Sequence, residues 1–177
     1  VSTVCDHCKD VLSRIQVTKK TMAIAPAYDL EHESIIYEVD RTFFSKKRPL
    51  EILDDACICR CSTYEGRIRA VRRKLGHYKK TPLMISPDEM LYAFPTKSPE
   101  RYDCIWVFPR HVKDWREAGE NALMVRFFNG LEITVNCSSY TFKRQKEKTA
   151  DCLMHFSDPP FVHIKGFSAI KKETEKI

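Results

Sequence analysis

The stretch Ser62–Gly76, STYEGRIRAVRRKLG, decides how the rest of the chain is to be read. Tyr64, Ile68, Val71 and Leu75 recur at steps of four, three and four, which places them on one stripe of a helix over three turns. Ser62 with Glu65 three residues later has the form of a capping box, and Gly76 stands where a left-handed C-cap is needed. The spacing predicts a helix over 62–75. Arg67, Arg69, Arg72, Arg73 and Lys74 fill its remaining sides. The stripe can pack on a sheet while the basic heads reach water, their stems covering its edges.

Working outward, strands flank this helix. Ile15 and Val17 alternate before Lys19-Lys20, and Met22 and Ile24 after it, so residues 14–27 read as a hairpin ended by Pro26. Ser34 to Val39 is another strand, followed by Phe43-Phe44 and the basic turn Lys46 to Pro49. Leu50 to Leu53 fits a short strand or a turn. On the other side, Thr81 to Ile85 and Met90 to Phe94 form an antiparallel pair around a type I turn carrying Pro87. Cys104 to Phe108 is an apolar strand, and Pro109 to Asn121 a polar excursion or a short helix around Trp115. Leu123 to Phe128 and Leu131 to Val135 flank Asn129-Gly130, the signature of a type I′ hairpin. A second helix runs over 139–156 and stops at Pro159-Pro160. The expected fold is α+β, strand-rich, with antiparallel hairpins and at least two packed helices. It forms one domain over 1–177, with a cysteine-containing extension at 1–13 and a charged tail at 165–177.

The 177 residues are long enough to bury a core, and no segment approaches the roughly 20 apolar residues that span a bilayer. Val1 to Lys20 mixes Cys, Asp, His and Lys without an apolar leader, which points to the cytoplasm and to reduced thiols. No phosphate-cradling glycine loop, His-Glu-x-x-His helix or Gly-x-Ser-x-Gly turn is present, so no catalytic residue is assigned. Asp54-Asp55 and Asp88-Glu89 suit turns or surfaces, and nothing places a nucleophile beside His77 or His111. Cys5-x-x-Cys8 has metal-ligand spacing, and Cys57, Cys59 and Cys61 alternate. Alternate residues of a strand share a face, so the latter three fit a small core cluster as well as a zinc site. The expectation is no metal and no cofactor.

Charge is distributed unevenly. Lys19 to Ala56 carries six basic and eight acidic residues, whereas Cys57 to Lys80 carries eight basic residues against Glu65 alone. Such a surface can meet a polyanion, or be a solvated helix face. Guanidinium groups give paired hydrogen bonds to phosphate, and lysines act as flexible point charges. On that ground Arg67, Arg69, Arg72 and Arg73 are the candidate groove or phosphate contacts, with Lys74, Lys79 and Lys80 positioning the backbone. On the second helix Lys143, Arg144, Lys146 and Lys148 make another basic surface, from which Lys143, Arg144 and Lys146 form a secondary patch. The alternative is a regulatory protein that binds an acidic partner through the same surface, with Trp115, Tyr64 or Phe142 exposed as anchors.

From Arg48 to about Leu153 the chain resembles the competence transcription factor family, ComK. The matching pieces are Arg48-Pro49-Leu50 with Ile52, and Ser62-x-Tyr64-x-Gly66-Arg67. Next come His77 with Lys80 and Pro82, the stretch from Leu91 ending Phe94-Pro95-Thr96, and Trp106. Last come His111-Val112-Lys113, Phe128-Asn129-Gly130, and Ser139-Tyr140 with Phe142 and Gln145. The resemblance implies a bacterial activator of DNA-uptake genes, with no catalysis. It implies binding to paired A/T-rich boxes in double-stranded DNA, chiefly through the minor groove, as a multimer of dimers that bends the duplex. A·T tracts narrow that groove and favour inserted arginines. RNA polymerase and a protease adaptor are the further partners implied. The Cys5-x-x-Cys8 pair and the region after Pro160 depart from the family pattern.

Overall fold

Alternation of buried side chains along the strands sets the layers of residues 16–157, the part of the chain that the computed structural model describes. The strands are β1 (Thr21–Pro26), β2 (Ser34–Glu38), β3 (Thr42–Ser45), β4 (Leu83–Ser86), β5 (Leu91–Pro95), β6 (Trp106–Val107), β7 (Val112–Gly119), β8 (Ala122–Phe127) and β9 (Glu132–Val135). The helices are α1 (Pro49–Ile58), α2 (Tyr64–Leu75) and α3 (Ser139–Phe156). Six strands form one sheet in the order β3-β2-β1-β6-β5-β4, and β7-β8-β9 form a second. Every pairing is antiparallel, as expected for the α+β class.

The central strand β1 is buried along its whole length because both of its faces are covered. On one face Ile24, Ile36, Leu83, Ile85, Trp106 and Phe108 meet Ile52, Leu53, Ala56 and Cys57 of α1 and Ile68 of α2. On the other, Ala23, Ala25, Phe94 and Val107 meet Leu123, Val125, Phe127, Ile133 and Val135 of the small sheet and Phe142 of α3. A third cluster, Val71, Met84, Tyr92 and Cys152, wraps the β4 edge and joins α2 to α3. That edge is covered by helix, which removes one row of unpaired backbone groups from solvent.

The helix expected over 62–75 is α2, one residue off at its start. Thr63 is the N-cap, its hydroxyl accepting from the Gly66 N–H at 3.0 Å, so no capping box forms with Ser62. Gly76 closes the helix at φ 69°. The second helix matches α3, capped by Ser138. The β4–β5 pair and the β8–β9 hairpin are present, but the latter turns differently. Gly130 takes φ 90°, and Asn129 is not among the residues with positive φ, so this is not a type I′ turn. Phe127 N–H donates to Leu131 and Gly130 N–H to Phe127, which makes a three-residue loop with a glycine bulge.

Three expectations fail. Gln16–Thr18 is not a strand, and Lys19-Lys20 is a turn leading into β1, whose hairpin partner is β2; Ile15 lies outside the described residues. Residues 50–53 belong to α1, which starts at Pro49 with Glu51 accepting from the Arg48 N–H at 2.7 Å. Cys57, Cys59 and Cys61 therefore do not share a strand face. Residues 112–119 form β7, a strand paired only with β8, whose open side tolerates the polar residues that made it read as an excursion. The Cys5–Cys8 extension and the tail after Ser157 lie outside the described residues. Among those described, no helix is long and apolar enough to cross a membrane.

Candidate nucleic-acid interface

The apolar stripe of α2 sets where each of its basic residues points. Ile68 and Val71 are buried, and Tyr64 packs edge-on against Trp106 with centroids 6.0 Å apart. Asp54 of α1 accepts from the Tyr64 N–H at 2.8 Å, so two of the orphan donors at the start of α2 are satisfied. A Cβ on Gly66 would lie 3.1 Å from the Thr63 hydroxyl, which is why the smallest residue occupies this turn.

With the stripe inward, the 3.6-residue period turns Arg69 and Arg73, four apart, to the outer side, where both are exposed. Lys74 is exposed as well, and among the described residues no carboxylate pairs with these three. Arg72, Arg73 and Lys74 sit in the last turn, where cations complement the carbonyl end of a helix. Arg72 is pinned at one flank, its Nε donating to the Thr81 hydroxyl at 3.0 Å. Arg67 differs from the other three arginines. It folds towards the end of α1, its Nη2 3.4 Å from the Arg60 carbonyl and its Nε buried without a partner.

The loop after α2 carries the basic surface across to α3. Thr81 donates to the His77 carbonyl at 2.6 Å, and Lys80 adopts φ 48°. Buried Gln145 of α3 donates from one Nε2 to the carbonyls of Lys80 and Pro95, at 2.8 and 3.0 Å. Lys148 donates to the Lys79 carbonyl at 2.8 Å, and His77 meets Asp151 at 3.0 Å. These contacts hold Lys79 and Lys80 between the two helices. Burial, then the charges of Arg144 and Lys80, lower the Lys148 pKa, so like charges are crowded here.

The secondary patch divides. Lys143 is exposed, and Arg144 pairs with Glu147 at 3.0 Å. Lys146 lies on the opposite flank, its Nζ 4.8 Å from the centroid of the Trp115 ring, and burial lowers its pKa. Lys148 takes its place on the side facing Lys79. The spacing of four between Arg144 and Lys148 was the available signal for that grouping. Lys97 and Arg101, which the sequence did not single out, share a cleft of about 440 Å³ with Lys80, Asn136, Ser138 and Thr141. Both bond to Asp103, whose carboxyl Arg101 and then Lys97 hold down to about 2.

The remaining candidates have structural partners. Asp55 pairs with Lys47 at 2.5 Å and Glu89 with Arg60 at 2.9 Å. His111 bonds to the Lys19 carbonyl at 2.8 Å. Of the aromatic residues considered as partner anchors, Phe142 is fully buried, and Trp115 and Tyr64 are half-buried. The exposed aromatics are instead Tyr28, Tyr78, Tyr102, Phe128 and Tyr140, with Phe44 about half exposed.

Comparison with known proteins gives a consistent answer. The family model described as ComK protein matches residues 13–159. The competence transcription factor of Bacillus subtilis (strain 168) is 31% identical over 150 residues, covering 83% of this chain and 77% of that protein. No solved structure matches.

Proposed function

The chain belongs to the ComK family, and we propose that it is a transcriptional activator of competence genes that binds A/T-rich double-stranded DNA. The observation that supports this reading is the run of cationic groups along two packed helices. Arg69, Arg73 and Lys74 stand clear of carboxylates among the described residues, and Lys79, Lys80 and Lys148 continue the run across the loop. Like charges held this close are relieved by a polyanion, and each phosphate neutralised releases counterions. The two arginines on the outer side of α2 suit a narrowed minor groove, where negative potential concentrates. Lysines on the loop and on α3 would position the sugar–phosphate backbone. Arg67 and Lys146, whose charged groups turn towards protein, fall outside this proposed contact set. Paired boxes in the DNA call for two copies of the chain, so a homodimer or larger assembly on DNA belongs to the same proposal.

Fluorescence anisotropy with one duplex carrying phased A/T boxes and one G·C-rich duplex of equal length, at two salt concentrations, tests it. A preference for the A/T duplex that survives the higher salt supports sequence-dependent binding. Equal binding to both duplexes that disappears at the higher salt overturns it.

A further inference from the structure

Two of the described cysteines have no place in the core. Cys57, Cys104, Cys137 and Cys152 are buried, and burial pushes their thiols up to about 11 or 12. Cys59 and Cys61 are exposed, two residues apart in the turn that closes α1. In that turn Cys61 N–H donates to the Ile58 carbonyl at 3.0 Å and Ser62 N–H to the Cys57 carbonyl at 3.1 Å. This is the helix-closing pattern that places glycine or asparagine in the left-handed region. Here Cys61 occupies it, at φ 56°. A β-carbon is unfavourable at that backbone geometry, so neither packing nor the turn accounts for cysteine there. A residue that breaks a local rule without a structural return marks a functional position.

The N-terminal segment reaches the fold at the same place. Gln16 lines a cleft of about 250 Å³ together with Ile58, Cys59, Arg60 and Glu89. Cys8 and Cys5 precede Gln16 by 8 and 11 residues. Even the shorter of these spans reaches roughly 26 Å when extended. Both thiols of the Cys5-x-x-Cys8 pair are therefore within range of Cys59 and Cys61.

We propose that Cys5, Cys8, Cys59 and Cys61 form a four-thiolate site for a zinc-class dication that ties the N-terminal segment to the end of α1. Two pairs of thiols at short spacing are the ligand set of closed structural zinc sites. On binding, four S–H bonds break and four metal–sulfur bonds form, four protons pass to solvent, and nothing is oxidised or reduced. Bare thiolates at the carbonyl end of a helix are disfavoured, and a dication there removes that repulsion. The guanidinium groups of Arg60 and Arg67 lie beside the same turn and offset the excess negative charge of four thiolates.

The test uses full-length chain, purified without chelator and dialysed, with zinc measured by elemental mass spectrometry. About one zinc per chain is expected, falling to background in both Cys59→Ser/Cys61→Ser and Cys5→Ser/Cys8→Ser. Near-ultraviolet circular dichroism of the two tryptophans checks that both variants stay folded, and exposed Cys59 and Cys61 tolerate serine. Cobalt(II) added to chelator-stripped protein should show thiolate-to-metal charge-transfer absorption in wild type and in neither variant. Wild type that holds no zinc and gives no such cobalt spectrum overturns the proposal, as does either variant keeping its full zinc. A disulfide joining any two of the four cysteines in protein purified under reducing conditions would also overturn it. None of these readouts depends on DNA.

Discussion

Removing Arg69 and Arg73 together is the sharpest perturbation of the proposed DNA contact. Both side chains are exposed on the outer side of α2, and among the described residues no carboxylate holds either of them. Alanine is the best helix former, so the double substitution should change folding stability by no more than about 0.5 kcal/mol. Each phosphate contact contributes about 0.9 to the slope of log affinity against log salt. Losing two should flatten the slope by about 1.8. If the two salt lines converge near 1 M, that difference amounts to about 60-fold weaker binding at 0.1 M salt. Anisotropy titrations of an A/T-box duplex at four or five salt concentrations measure both quantities. Lys146→Ala is the internal contrast, because its ammonium rests on the Trp115 ring, and it should leave the slope unchanged. An unchanged slope in the arginine double variant, with its helix content intact, would refute the assignment. So would a loss in Lys146→Ala as large as that in the double variant.

Three further outcomes are expected. Gln145→Leu leaves the Lys80 and Pro95 carbonyls unpaired, which should cost about 1–3 kcal/mol in denaturant unfolding and speed hydrogen exchange over residues 79–81. Cys61→Gly, compared in chelator-stripped protein, should raise stability by about 1 kcal/mol by relieving a left-handed β-carbon, a shift visible in the denaturation midpoint. Asp103 titrates in the folded chain at about 2, below its ordinary 3.8, because Arg101 and Lys97 hold it ionised. A depressed folded value contributes stability that is present above the ordinary value and is lost as pH falls through about 2. Asp103→Asn should therefore be less stable than wild type near neutral pH, with the gap closing between about pH 4 and pH 2. Urea midpoints across that range check it, and a constant gap would contradict the assignment.

How much could be read in advance depended on how local each signal was. Helix α2 was legible because its stripe and Gly76 lie within fifteen residues, although its cap moved from Ser62 to Thr63. The β8–β9 hairpin was legible from Asn129-Gly130, while its turn class was not, since Asn129 keeps an ordinary φ and only Gly130 turns left-handed. Helix α1 was missed although Ile52, Leu53, Ala56 and Cys57 fall on a helical spacing, because the alternating cysteines after it suggested a strand. Strand β7 was missed because its open side faces solvent, and charged side chains there hide the alternation that marks a half-buried strand.

The sequence by itself determined the α+β composition of the fold, the two long helices, the strand pair around Pro87 and the concentration of positive charge between Cys57 and Lys80. It also carried the family, through short pieces in a fixed order. Only the tertiary structure decided what each basic side chain can face. Arg67 turns inward because the end of α1 is beside it, and Lys146 and Lys148 part company because Trp115 lies on one flank of α3 and Lys79 on the other. Those neighbours are 7, 31 and 69 residues away in the chain. Local pattern sets which elements form, since backbone preference and periodicity act over a few residues. The direction and surroundings of a charge depend on which distant elements pack against it, and that is settled only when the sheet and its covering helices close on each other.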